Sequence, residues 1–260
     1  MDPVGSPGLF RLWRYHLWLY LKMTYERNFQ KADFRVDFGD RTLTGDVISK
    51  HSRPEVLILH GAGNSSRGDF SLFRQQLLIH EISSAAFDFV GHGDTGGELE
   101  SSSLLSRTRQ ACSVVDSLNL QQPFSIIGAS MGAYTAVKLL EYYRIKSLIL
   151  LVPAMYASMA YTVPFNKGFT EIIRQPQSWG HSDAWDILSG YQGHLLIIAA
   201  ENDKVIPQGV INKIYESAVN AKECKLFVAP QASHAVFTDL RSNNPQSFCS
   251  VLGQIVDILN

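Results

Sequence analysis

The sequence predicts an α/β domain built on a mostly parallel sheet with helices on both faces, and three observations carry that reading. Short, wholly apolar runs such as Val56–Leu59 and Leu195–Ala200 alternate with stretches of helical period, as strands buried on both faces do. One such run, Phe124 to Ile127, breaks into Gly128-x-Ser130-x-Gly132 and passes at once into a helical pattern from Ala133 to Tyr143. The alternation fills most of the 260 residues without an internal repeat or low-complexity tract, and 45% hydrophobic content is enough for a single large core.

Taken in order, residues 9 to 29 read as a helix with Phe10, Trp13, Leu17, Tyr20 and Leu21 in one stripe. This N-terminal helical extension, residues 1–33, is expected to pack on the body of the domain or on a second copy in a homodimer. Its basic face is too sparse for the alternative, membrane contact through an interfacial anchor. Phe34–Phe38 and Leu43–Ile48 alternate about a polar turn at Gly39-Asp40, so the sheet begins with an antiparallel hairpin. Val56–Leu59 follows and ends in the small-residue loop His60 to Ser66, before a helix over Phe70 to Ile79. The unit recurs as strand Ser84–Phe89, loop Gly91 to Gly97 and helix Leu104 to Leu118. After the Ser130 turn come strands Ser147–Val152, Leu195–Ala200 and Cys224–Ala229, eight in all, with helices over Gln208 to Val219 and Pro245 to Leu259. Met155 to Gly190 is too long for a connecting loop. It reads as a small lid inserted at about 155–190, with Tyr156, Tyr161, Phe165, Trp179 and Trp185 walling a compact pocket.

Lys plus Arg number 23 against 24 Asp plus Glu, a formal net charge of -1, which gives no field for nucleic acid or any other polyanion. The expected partner is a small neutral molecule. Cys112, Cys224 and Cys249 are odd in number, widely spaced and set among apolar residues, as buried thiols in a reducing compartment are. The first residues carry Asp2 and no basic n-region, and the cytoplasm is the expected location.

Ser130 stands at the tip of a strand–turn–helix, where its hydroxyl is held above the sheet. A serine hydroxyl is a weak nucleophile at neutral pH until an imidazole accepts its proton and a carboxylate fixes that imidazole's tautomer. Of the eight histidines, His16, His51 and His80 sit in helix or surface contexts, His181 lies in the insertion, and His194 opens a strand at the wrong end. His60 and His92 lie at carboxyl ends but precede glycine in tight loops, where a buried ring bonding to backbone is expected. His234, in the short loop after the last strand, reaches the same edge as Ser130 and is the expected base. Asp203, in the turn after Leu195–Ala200, is the expected acid, with Glu201, Asp183 and Asp186 as competitors. Backbone N–H groups of Met131, at a helix N-terminus, and of Ala62, between Gly61 and Gly63, are placed to receive an oxyanion. No metal or organic cofactor is expected, since the cysteines are scattered and no histidine pair has helical ligand spacing.

His60-Gly61 after a strand, the Gly91-His92-Gly93 loop after the next, the Gly128 to Gly132 elbow, the Asp203 turn and His234 together resemble the α/β-hydrolase superfamily over residues 34–260. The likeness is to serine esterases and related small hydrolases with a short lid, a group that also holds acyl-thioesterases, peptidases and perhydrolases. It implies catalysis by Ser130, Asp203 and His234 through an acyl-enzyme and a supporting role for Asp88 and the Gly91-His92-Gly93 turn, and the shortness of the lid adds the expectation of a small to medium carboxylic ester as substrate. Two readings from other classes fit less well. A non-catalytic binding module would usually have lost one of the three side chains, and Gly61-x-Gly63-x-x-Ser66 has the wrong third residue for a dinucleotide turn.

Overall fold

The computed structural model describes residues 29–50, 53–237 and 245–260; the helix expected over 9 to 29, with its homodimer and membrane readings, lies outside them apart from Phe29. Eight strands form one sheet: β1 (Gln30–Phe38), β2 (Arg41–Ser49), β3 (Val56–Leu59), β4 (Ser84–Phe87), β5 (Phe124–Ala129), β6 (Ile145–Leu151), β7 (His194–Ala200) and β8 (Glu223–Ala229). They lie in the order β1-β2-β4-β3-β5-β6-β7-β8. Only the pairings of β2 with β1 and β4 are antiparallel. This is the α/β-hydrolase arrangement that the sequence predicts.

β1 starts four residues before the expected Phe34, because Gln30 to Asp33 pair with Asp46 to Ser49 along an exposed edge. That extension is held by backbone bonds and an ion pair from Lys31 Nζ to Asp46 Oδ2 at 3.8 Å, and hydrophobic alternation carries no trace of it. β4 stops two residues early: Asp88 N–H still donates to Thr44 O in register with β2, but Phe89 N–H turns to His60 Nε2, so the chain leaves the ladder there to enter the next loop.

Side-chain alternation divides the core between the two faces of the sheet. Val56, Ile58, Ile127, Ile149, Leu196 and Ile198 are covered by α1 (Ser71–Ile79) and α7 (Pro245–Leu259). Leu57, Leu59, Ile126, Leu148, Leu195 and Ile197 face α2 (Leu104–Ser117), α3 (Met131–Leu139), α5 (Ala184–Gly190) and α6 (Gln208–Ser217). Each such aliphatic side chain contributes roughly 1.5–3 kcal/mol by leaving water, so the strand ends are held on a rigid platform. Among the described residues no helix is long and apolar enough to cross a membrane. The expectation of three buried thiols needs correction: Cys249 is exposed, on the face of α7 that carries Asp257 rather than the one that carries Val251 and Ile255. Cys112 and Cys224 are half-buried, and burial pushes the Cys224 thiol up to about 11.

The long segment after β6 holds two single-turn 3-10 helices, a short α4 (Phe169–Ile173) and α5. Its backbone docks on the start of α2, with Leu105 N–H donating to Tyr161 O and Phe165 N–H to Ser102 O, and its aromatics pack against the core. Tyr156 meets Tyr134 of α3 edge-on with ring centres 5.5 Å apart and Phe169 at 5.7 Å, while Trp179 packs on Trp185 at 6.3 Å. Asp183 fastens the segment to α3 by accepting from Tyr134 Oη at 2.7 Å and Lys138 Nζ at 3.0 Å.

Candidate active site

β5 delivers Ser130 to the carboxyl edge of the sheet with φ 50° and ψ −117°. A non-glycine residue in that region carries about 1–3 kcal/mol of strain and persists only where its surroundings impose it. Here Ser130 N–H donates to Leu151 O at 2.9 Å, and Ser130 O accepts from Ala133 N at 3.0 Å and Ala154 N at 3.2 Å. Glycine is needed on either side. A Cβ at Gly128 would lie 2.6 Å from Gly132 O, and one at Gly132 would run into Leu59 O and lie 2.6 Å from His60 O.

The loop after β8 brings His234 over Ser130. His234 Nε2 is 3.0 Å from Ser130 Oγ, and Nδ1 is 2.9 Å from Asp203 Oδ2. A carboxylate oxygen can only accept, so the proton of the neutral ring sits on Nδ1 and Nε2 is free to take the serine proton. The other oxygen of Asp203 accepts from Val205 N at 2.7 Å and Ile206 N at 3.0 Å, and the side chain is only 8% exposed. The competing acids are occupied or distant. Glu201 accepts from Gln231 N–H at 2.7 Å and so braces the loop that carries His234. Asp183 is bound to α3, and Asp186 lies beside Gly190 and His194 in a groove at the opposite end of the sheet. That groove, of about 610 Å³, contains neither Ser130 nor His234.

His60 and His92 point their rings into the interior, as the glycines after them suggest. His60 Nε2 accepts from Phe89 N–H at 3.1 Å, so its Nδ1–H donates to Gly61 O at 2.9 Å. His92 Nδ1 donates to Ser65 O at 3.0 Å. Burial, aided by the nearby Arg107 cation, holds both imidazoles below the usual histidine range, so both stay neutral at pH 7. The loop from His60 to Ser66 is thus pinned at two carbonyls from beneath. Asp88 fixes its far end by accepting from Arg67 N–H at 2.7 Å, from the Arg67 guanidinium and from Asp94 N–H at 2.9 Å. A Cβ at Gly93 would collide with the Asp88 carboxylate, which is why the second Gly of the Gly-His-Gly turn has no side chain.

The loop passes close to the serine: a Cβ on Gly61 would lie 3.3 Å from Ser130 Cβ. Ala62 thus borders Ser130 from the loop, and Met131 opens α3 on its other side. A cleft of about 360 Å³ contains Ser130 and His234 and is lined by the apolar Phe70, Leu151, Val152, Val236 and Phe237 and by the polar Asn64, Ser65 and Asp69. None of the aromatics of the 155–190 segment lines it, contrary to the expected aromatic wall, because they are spent on α3 and on one another. Phe237, which supplies that wall instead, is stacked on Phe73 at 4.6 Å. Among the described residues no group of three His, Cys, Asp or Glu side chains could hold a metal ion.

Glu201, weighed in the sequence as a competing acid, braces the His234 loop instead, and Arg107, buried beneath the loop after β3, is a residue that sequence reasoning passed over. A signal for Arg107 was present: it shares the helical stripe of Leu104, Ala111 and Val114, an apolar face on which a charge is out of place.

The family described as serine aminopeptidase, S33 matches residues 50–180, a span that takes in the loop after β3, the Ser130 turn and α3 but stops before Asp203 and His234. Mouse (Mus musculus) monoacylglycerol lipase ABHD6 is 32% identical over 106 residues, 39% of this chain and 31% of that protein, so the match spans about a third of that relative's length. Among solved structures, Pyrococcus furiosus esterase Pf2001 superposes with a TM-score of 0.67 at 22% identity, covering 88% of this chain and 91% of that one. Est1E from Butyrivibrio proteoclasticus, with ferulic acid bound, gives 0.64 at 20% identity, covering 85% of this chain and 99% of that one. At such identities these structures share the fold.

Proposed function

The chain belongs to the serine aminopeptidase S33 family of α/β-hydrolases, and on that premise we propose that it is a serine esterase acting on small to medium carboxylic esters through an acyl-enzyme. The observation that carries the proposal is the line of hydrogen bonds Asp203–His234–Ser130 on the floor of an apolar-walled cleft. In the first half-reaction Ser130 Oγ attacks the ester carbonyl while His234 Nε2 takes its proton, and Asp203 stabilises the imidazolium that forms. The carbonyl oxygen, now an oxyanion, is received by the N–H groups of Ala62 and Met131. Collapse breaks the bond to the alcohol, which leaves with the proton from His234. Water then attacks the acyl-Ser130 with His234 again as base, releasing the carboxylic acid and restoring the hydroxyl.

Volume argues for a short acyl chain. At about 360 Å³ the cleft lies near the low end of ligand sites, which run from roughly 300 to 1,000 Å³. Each methylene that finds a place beside Phe70, Val236 and Phe237 adds up to ~0.8 kcal/mol, a factor of roughly four in kcat/KM. A series of p-nitrophenyl esters should therefore rise from acetyl to about butyryl or hexanoyl and fall beyond. Matching thioesters and amides belong in the same panel, because a thioesterase or a peptidase would use the same three side chains. A preference for amides would support the family's peptidase name over an esterase. A rise continuing to palmitoyl would instead point to a lipase like the monoacylglycerol lipase relative, and either result would overturn the proposal.

A further inference from the structure

We infer that Arg107, on α2 and outside the cleft, is a positioning residue that turns the Gly61–Ala62 peptide so that its N–H faces the developing oxyanion. The inference rests on the esterase reading above and deepens it. Arg107 is completely buried, and none of its described hydrogen-bond partners is a carboxylate. Two other arginines with largely buried side chains differ in kind: Arg74 is paired with Asp46, and Arg67 with Asp46, Asp88 and Asp94. An unneutralised guanidinium taken out of water is costly, so its retention calls for a task that a neutral side chain would do less well.

Its contacts identify that task. Arg107 Nη2 donates to His60 O at 2.7 Å and to Gly61 O at 3.0 Å, two successive carbonyls of the loop beside the nucleophile. His60 Nδ1–H adds a second bond to Gly61 O at 2.9 Å, so that carbonyl receives two donors from the interior. The Gly61–Ala62 bond is trans, and in a trans peptide the N–H points opposite to the C=O. Pulling Gly61 O inward therefore sends Ala62 N–H outward, on the side where Gly61 lies against Ser130. The guanidinium carbon lies 3.7 Å from the centre of the Phe89 ring, with Nη1 3.4 Å from His92 Nε2 and Nε without a hydrogen-bond partner among the described residues. Burial lowers its pKa to about 9, which leaves it a cation at neutral pH. Donation from a cation polarises the peptide and makes its N–H a better donor, an effect that a low-dielectric interior enlarges. The charge also lies behind the peptide that meets the oxyanion, with no carboxylate among its described hydrogen-bond partners to cancel its field.

The test separates positioning from mere support of the fold. Arg107→Met should lower kcat by about 10²- to 10³-fold, the loss typical of one oxyanion donor, while KM stays within about threefold. Affinity for a trifluoromethyl ketone, which forms a tetrahedral adduct on Ser130, should fall by the same factor as kcat/KM, and affinity for the product alcohol should not change. Arg107→Lys, which keeps the charge but not the fork, should restore part of kcat. Wild-type kcat in either variant, or a kcat loss without the matching loss of ketone affinity, would overturn the inference. Because both variants could fail to fold, the unsubstituted protein supplies an independent reading: the Arg107 side-chain ¹⁵N resonances should shift when the ketone adduct forms, and unmoved resonances at full occupancy would also overturn it. Ser130→Ala is the control for the underlying reading. If that variant stays active the esterase mechanism fails; if it is inactive while Arg107→Lys behaves as wild type, only the role of Arg107 fails.

Discussion

Replacing Ser130 by alanine is expected to lower kcat/KM for a butyrate ester by roughly 10⁴- to 10⁶-fold, the loss seen when a nucleophile of this type is removed. The change deletes one oxygen on the floor of the cleft, whose one hydrogen bond among the described residues is to His234. Alanine is no more strained than serine at φ 50°, and the backbone bonds to Leu151, Ala133 and Ala154 are untouched. The melting temperature should therefore stay within about a degree or two, since removing one polar group at a half-buried position changes stability by well under 1 kcal/mol in most cases. Activity and melting curves measured on the same preparation decide the matter. Loss of activity together with unfolding would assign Ser130 a structural role instead.

Asp203→Asn is expected to cost about 10⁴-fold in kcat with little change in KM, and the reason lies in how the two carboxylate oxygens are used. One of them accepts from two N–H groups, Val205 and Ile206, so an asparagine must put its carbonyl oxygen there. Its NH₂ then faces His234 Nδ1, which can no longer carry a proton. The ring is forced into the tautomer with the proton on Nε2, where it cannot accept from Ser130. Glu201→Gln makes a useful contrast. Its amide oxygen can still accept the Gln231 N–H that braces the loop, so kcat should fall by about tenfold or less, in line with a single surface hydrogen bond. Steady-state kinetics of the two variants side by side test the assignment. A larger loss from Glu201→Gln than from Asp203→Asn would reverse it.

The parts of this fold that could be read from residues alone are those in which local chemistry and burial agree. Val56–Leu59 and Leu195–Ala200 are apolar throughout because both faces of the sheet are covered, and Ser130, Asp203 and His234 each follow a strand that ends at the same edge. The first four residues of β1 were not legible, since Gln30 to Asp33 are exposed and are held by backbone pairing and the Lys31–Asp46 ion pair, not by apolar burial. Aromatic content misled the reading of the segment from 155 to 190. Tyr156, Phe165, Phe169 and Trp179 had to be buried against something, and composition does not say whether that is a substrate cleft or the flank of α3. Arg107 was missed because a charged side chain is assigned to solvent by default, and its helix-face neighbours were not weighed against that default. Cys249 was misplaced for the opposite reason, as apolar neighbours in sequence are not neighbours on a helix face.

The central claim is that Ser130 becomes covalently acylated, and reaction with a fluorophosphonate followed by intact mass and peptide mapping tests it most directly. One adduct per chain on the peptide containing Ser130 is expected, formed much more slowly after His234→Ala and not at all after Ser130→Ala. An adduct on another residue, or full esterase activity in protein that the reagent leaves unmodified, would contradict it.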